Sequence, residues 1–226
     1  MNAVGLDNPA WASLTGFHAH LAKIVGGAAR LPADVGMFVG LSDPADEGAW
    51  ADLGNLVGGE DVLVVGVPAV PDGWDAPMTV DGVQMVATKQ LGEPDEEAVR
   101  LGPADVPEML DLVRRTEPGP FLPRTIELGT YLGIRRDGVL AAMAGERLRV
   151  PGWTEISAVC TDPAYRGQGL ASRLVKAVAA GIEGRGETPF LHTSAGNTNA
   201  IRLYEGMDFQ LRRAISFRLV RQEGLQ

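Results

Sequence analysis

The 226-residue chain is 45% apolar and 22% charged, with a mean hydropathy of +0.02, a globular composition long enough to bury a sizeable core in one large domain or two small ones. No apolar run approaches the roughly 18 residues of a membrane span, "MNAVGLDNPAWASL" lacks the order of a signal peptide, and the lone Cys160 cannot close an intramolecular disulfide. A soluble cytoplasmic protein without a membrane partner is the expectation.

The net charge of −9 lies entirely in residues 1–94, where Lys23, Arg30 and Lys89 stand against twelve acidic residues; residues 95–226 carry seventeen of each sign. An acidic segment argues against nucleic acid, whose phosphates need a basic face. It leaves open a solvated surface or an attraction for a cationic amine.

In chain order, "WASLTGFHAHLAKIVGGAARL" predicts a helix broken at Gly26 and Gly27. "DEGAWADLGNLV" predicts a short helix with Trp50, Leu53 and Leu56 on one face. "DVLVVGV" and "DGVQMVATK" predict strands joined by the Pro/Gly-rich loop "PAVPDGWDAP". None of this carries a motif. The composition changes near "LGEPDEEAVR" (91–100), which gives an acidic N-terminal α/β domain over 1–94 and a second domain over 95–226.

The second segment is clearer. "GPADVPEMLDLVRRTEPGP" predicts a helix with Asp105 as N-cap, Pro107 in its first turn, Arg114 and Arg115 late, and Pro118 as its stop. Asp137-Gly138 predicts a hairpin turn. "GWTEISAVCT" predicts a strand with Ile156, Ala158 and Cys160 on one face and Glu155, Ser157, Val159 and Thr161 on the other. A helix follows, with Leu170, Leu174, Val178 and Ile182 in one stripe. Then come a strand at "TPFLHTS", a short helix capped by Asn197, and a closing strand or hairpin arm at "DFQLRRAISFRLV".

Between the Thr161 strand and its helix lies "DPAYRGQGLASRL". Glycines at a helix entry admit a ligand close to the backbone, and the first helical amides have no partner inside the helix, so the turn suits a phosphate or pyrophosphate. Arg166 adds a fixed charge. A tight turn with no ligand is the competing account. No lysine follows the glycines as a P-loop requires, and Ser172 stands where a dinucleotide fingerprint has its third glycine or alanine.

Arg166-x-x-Gly169-x-Ala171, followed about thirty residues on by Asn197-x-x-Ala200-x-x-Leu203-Tyr204 and "EGMDF", resembles the GNAT superfamily of N-acetyltransferases over about residues 97–221. The usual glycine before Phe209 is Asp208 here, at a helix end that often needs positive φ, which Asp tolerates. The resemblance implies an α/β (α+β) mixed-sheet fold, preceded by a smaller α/β unit, and acetyl transfer from acetyl-CoA to a small-molecule or protein amine by direct attack. A non-catalytic CoA sensor on the same fold is the alternative. By the same resemblance, amides of Gly167, Gln168, Gly169, Leu170, Ala171 and Ser172 hold the pyrophosphate, and the strand edge at Val159, Cys160 and Thr161 pairs with the pantetheine arm. Asn197 touches the cofactor or caps its helix, and Tyr204 is the general acid.

A neutral amine is needed for attack, so a base is expected at Glu155 or, on the next strand, His192; each is otherwise a paired strand residue. The resemblance places the acceptor pocket in "GPFLPRTIELGTYLGI", with Phe121, Arg124, Thr125 and Glu127 as candidate contacts. Three scattered histidines and one cysteine give no metal spacing. Residues 1–94, lacking the glycine signature, are expected to bind no CoA and to shape the acceptor side, either as a degenerate GNAT-like unit or as a separate fold.

Overall fold

The computed structural model describes residues 4–224. Helices α1 (Val4–Asp7) and α2 (Pro9–Leu14) open the chain, followed by strands β1 (Lys23–Val25), β2 (Ala28–Arg30) and β3 (Val39–Leu41), helix α3 (Glu47–Val57), and strands β4 (Val62–Val65), β5 (Trp74–Ala87) and β6 (Val99–Arg100). The second half runs α4 (Val106–Thr116), β7 (Tyr131–Arg136), β8 (Val139–Val150), β9 (Trp153–Thr161), α5 (Leu170–Gly184), β10 (Thr188–Ser194), α6 (Thr198–Glu205) and β11 (Phe209–Gln222). No helix among the described residues is long and apolar enough to cross a membrane.

Eight strands form one mixed sheet in the order β4-β11-β5-β10-β9-β8-β7-β6, and β1-β2-β3 form a second, smaller one. Among the described strands of the large sheet, β9 and β10 form the parallel pair, over Trp153–Ile156 and Thr188–Leu191, and an isolated parallel bridge joins Phe38 to Leu63 of β4. Helix α5 covers one face through Leu170, Leu174, Val178 and Ile182, the stripe read from the sequence. Helix α4 covers the other through Met109 and Leu112, and Leu6 of α1 packs on the same side against Leu148 and Phe190.

Strands β4 and β5 belong to the first segment yet sit in the large sheet, β5 between β10 and β11. The "LGEPDEEAVR" stretch lies along α5: Leu91 and Gly92 donate to Glu183, and Arg173 pairs with Asp95 and Glu97. The acidic surplus of the first segment is partly answered across the chain, since Asp7 meets Arg212 and Arg213, Asp34 meets Arg124, and Asp61 meets Arg221.

Four local expectations change. The helix predicted from Trp11 stops at Leu14, and Gly26 and Gly27 turn the β1–β2 hairpin instead. Gly26 has φ +48° and a Cβ there would fall 2.1 Å from Asp52, whose carboxylate accepts from the Gly27 amide, so these glycines serve close approach to α3. Strand β5 begins inside the expected loop, at Trp74, because that indole packs edge-on to Trp50 at 5.2 Å. Pro77 is tolerated because β10 pairs with β5 only from Gly82 onward.

The third change governs the site. In β9 the register against β8 shifts between Ser157 and Cys160, and Ala158 adopts φ +53°. One extra residue reverses the alternation. Ile156 and Val159 therefore pack on the α5 side while Ala158 and Cys160 pack on the α4 side. Asp105 precedes α4 as predicted, but its carboxylate accepts from Gly102 and pairs with Arg135 and does not cap the helix. Asp137 and Gly138 take φ of +50° and +81° in the β7–β8 turn, and Asp208 takes +62° after α6, as their sequence contexts require.

Candidate active site

Beyond Ile156 and Leu191 the parallel pair parts: β10 turns its pairing to β5 over residues 190–194, and the β9 edge from Ser157 to Thr161 faces no strand. A cleft of about 1140 Å³ opens there. One side is made by Ser157–Thr161, by Arg166, Gly167 and Gly169–Ser172, and by Asn197, Ala200, Leu203 and Tyr204. Across it stand His192, Thr193 and Ser194 of β10 with Phe217 of β11.

The loop is fixed at its entry by Asp162, which accepts from Ala164 and pairs with Arg115. Gly167 and Gly169 then take φ of +79° and +73°, and a Cβ on either would stand in open space. Among the described residues, the six amides from Gly167 to Ser172 donate to no protein group; the α5 ladder starts with Arg173 donating to Gly169. Gly169 offers no side-chain cap. Six unpaired amides at the positive end of a helix, beside Arg166, fit a diphosphate. Gln168 does not line the cleft.

Tyr204 is 7% exposed and lines the cleft from α6. Burial pushes its phenol up to about 12, so it holds its proton through the neutral range. Asn197 lines the cleft too, while its Oδ1 accepts from the Ala200 amide at 3.2 Å, the capping role its position suggests. The Cys160 thiol is pushed up to about 11 by burial, which leaves it protonated. Thr161 Oγ1 is buried without a hydrogen-bond partner among the described residues.

Glu155 does not reach the cleft as a base. Its side chain is fully buried and takes two hydrogen bonds from Arg147, at 2.8 Å from Nε and 2.6 Å from Nη2. A third comes from His192 Nδ1 at 2.7 Å. Burial alone would raise its pKa, but Arg147 and then His192 outweigh it and hold the carboxyl well below the usual range. His192 is likewise engaged at its other nitrogen. Gln84 Oε1 accepts from Arg212 at 2.8 Å, which turns its NH2 toward the Leu6 carbonyl at 2.9 Å and His192 Nε2 at 3.0 Å. The imidazole therefore donates from Nδ1 and accepts at Nε2. A chain of hydrogen bonds runs Arg147–Glu155–His192–Gln84–Arg212–Asp7, from the cleft through the sheet to the exposed Asp7 carboxylate of α1.

The four acceptor contacts expected between α4 and β7 lie outside the cleft. Phe121 is buried edge-on to Tyr131. Arg124 pairs with Glu127 and Asp34, and Thr125 donates to the Val35 carbonyl. Arg124 and Thr125 fasten the second segment to the first, and no short-range signal separates fastening from substrate contact. The residues that do line the far side, Phe38, Leu63, Met78, Val80, Arg147 and Phe217, escaped the sequence reading. Arg147 alone left a trace, as a charge inside a run of strand residues; it lies 4.3 Å over the Phe38 ring.

Residues 131–218 match the family of FR47-like proteins. Among solved structures, the chain is similar to a protein from Novosphingobium aromaticivorans DSM 12444 described as a GNAT-family acetyltransferase. The two are 41% identical over 96% of this chain and 98% of that one, with a TM-score of 0.87. A GCN5-related N-acetyltransferase from Kribbella flavida is 18% identical over 95% of this chain and 94% of its own, with a TM-score of 0.61. A GNAT-family acetyltransferase from Colwellia psychrerythraea is 16% identical over 96% of each chain, with a TM-score of 0.54. The last two show likeness of fold. No curated protein matches the chain.

Proposed function

Because the chain belongs to the GNAT family and is an acyltransferase, we propose that its cleft takes acetyl-CoA and passes the acetyl group to a primary amine by direct attack. The observation that carries this reading is the row of unpaired amides from Gly167 to Ser172 opening onto the parted strands β9 and β10. When bound, acetyl-CoA supplies an acetyl group activated as a thioester.

The chain's own residues then divide the work. The amides of Gly167 and of residues 169–172, with the Arg166 guanidinium, bind the diphosphate. The free edge at Val159–Thr161 orients the pantetheine arm as an added strand would. Tyr204 holds a proton where the thiolate departs, kept there by the burial that raises its pKa. Glu155 and His192 are committed to each other and to Arg147 and Gln84. The ammonium proton accordingly leaves through water held by the hydroxyls of Ser157, Thr193 and Ser194, all on the cleft wall.

Titration calorimetry with coenzyme A, followed by measured thioester loss on a panel of primary amines, tests the reading. Binding with amine-dependent thioester loss is expected. No heat at millimolar coenzyme overturns it, and binding without turnover on any amine assigns the cleft to coenzyme binding alone.

A further inference from the structure

We propose that the acceptor is a primary amine on an apolar, ring-sized body that carries no second charged group; the inference rests on the acetyl-transfer reading above and adds the substrate class. The first observation is the composition of the wall facing the loop. Phe217 of β11 stands in register with Val80 of β5, and Met78 lies two residues along the same strand. Leu63 of β4 is bridged to Phe38, and all five line the cleft. Met78, 45% exposed, adds a large apolar side chain that a ligand in the cleft can reach at this wall.

The second observation is the distribution of charge. Among the described residues Arg147 is the one cation on this wall, and the buried Glu155 accepts from two of its nitrogens, so the pair is neutral. Among the described residues lining the cleft, the one carboxylate is Glu117, at the end of α4, a helix packed against β8 and β9 and not against the apolar wall. None of the twelve acidic residues of segment 1–94 lines the cleft. A second ammonium on the acceptor would lose its water against Phe38, Leu63 and Phe217 with no counter-charge, whereas an apolar body gains from the same burial. The sign of the first segment's charge therefore does not select the substrate; its apolar side chains do.

Phenethylamine and 1,4-diaminobutane, each with acetyl-CoA, form the test. Phenethylamine is expected to be favoured by about 100-fold or more in kcat/KM. Phe217→Asp is expected to raise the phenethylamine KM by about 10-fold or more, to leave coenzyme A binding unchanged by calorimetry, and to be largely rescued by Phe217→Leu. Should Phe217→Asp not fold, Met78→Asp, at a solvent-exposed position, takes its place with the same expected split. Comparable rates on the two amines, or an unchanged KM in the folded variant, overturn the inference while acetyl transfer stands. Absence of coenzyme binding overturns both.

Discussion

Glu155 Oε1 lies 2.7 Å from His192 Nδ1, and both side chains are closed to solvent, 0% and 2% exposed. A carboxylate and an imidazole in that arrangement invite an acid–base assignment. Their other partners remove it. Arg147 takes up both carboxylate oxygens, and the Gln84 amide occupies the remaining imidazole nitrogen. What the pair does is hold Arg147 against the cleft and tie β10 to β5, β11 and α1.

Glu155→Gln should therefore cost stability before it costs chemistry. It strands the buried Arg147 guanidinium, and a loss of about 3–5 kcal/mol is expected from urea unfolding. The sign with pH follows from the lowered carboxyl: its contribution is complete above the unfolded value of about 4.3 and is lost as pH falls through the folded one. The pH profile of kcat/KM for the folded variant should match the wild type. A vanished acidic limb would restore Glu155 as the base.

Tyr204→Phe should lower kcat by about 10²-fold or more while coenzyme A affinity is nearly kept. With the phenol pushed up to about 12, the wild type should show no alkaline fall in kcat attributable to this residue below about pH 11. Single-turnover measurements across pH check both; equal rates for the two proteins would take Tyr204 out of the mechanism.

At the loop, Gly169→Ala forces an L residue to φ +73°, at about 1–2 kcal/mol, and plants a methyl group in space that is open in the structure. Coenzyme A binding should weaken about tenfold or more. Arg166→Ala should weaken it by a similar factor, since charged hydrogen bonds are worth about 1.5–3 kcal/mol, and the difference from wild type should shrink with added salt. Calorimetry at two ionic strengths reads both.

His18 joins the first segment to the second. Its Nε2 lies 2.9 Å from the Leu128 carbonyl and its Nδ1 2.7 Å from Ser13 Oγ. Burial lowers its pKa, with the Leu128 bond opposing and the charges of His20 and Arg149 assisting. A lowered pKa means the unfolded chain takes the proton first. Stability from this site is full above about 6.5 and is lost as pH falls through the folded value. The urea midpoint should drop between pH 7.5 and 5.5 in the wild type and change less in His18→Gln; an equal drop in both would show that the site is silent.

Local physics made much of the second half legible. The Asp137-Gly138 turn, the α5 stripe, the Asn197 cap, the positive φ at Asp208 and the glycine-bearing loop each follow from neighbours within a few residues. The first half was harder because its order is set at long range: Gly26 and Gly27 are chosen by Asp52, and β5 extends to Trp74 because Trp50 waits for it.

By itself the sequence determined where a helix must begin on bare amides and which phenol follows it, since backbone conformation and hydrogen-bond need are fixed by adjacent residues. Tertiary structure alone decided what faces that turn. A one-residue bulge at Ala158 set which way the strand's side chains point. Sheet pairing across about 140 residues brought Phe217 opposite Val80, and burial beside Arg147 turned Glu155 from a candidate base into an anchor. Alternation, register and desolvation are properties of the assembled sheet, and no stretch of chain short enough to read as a motif contains them.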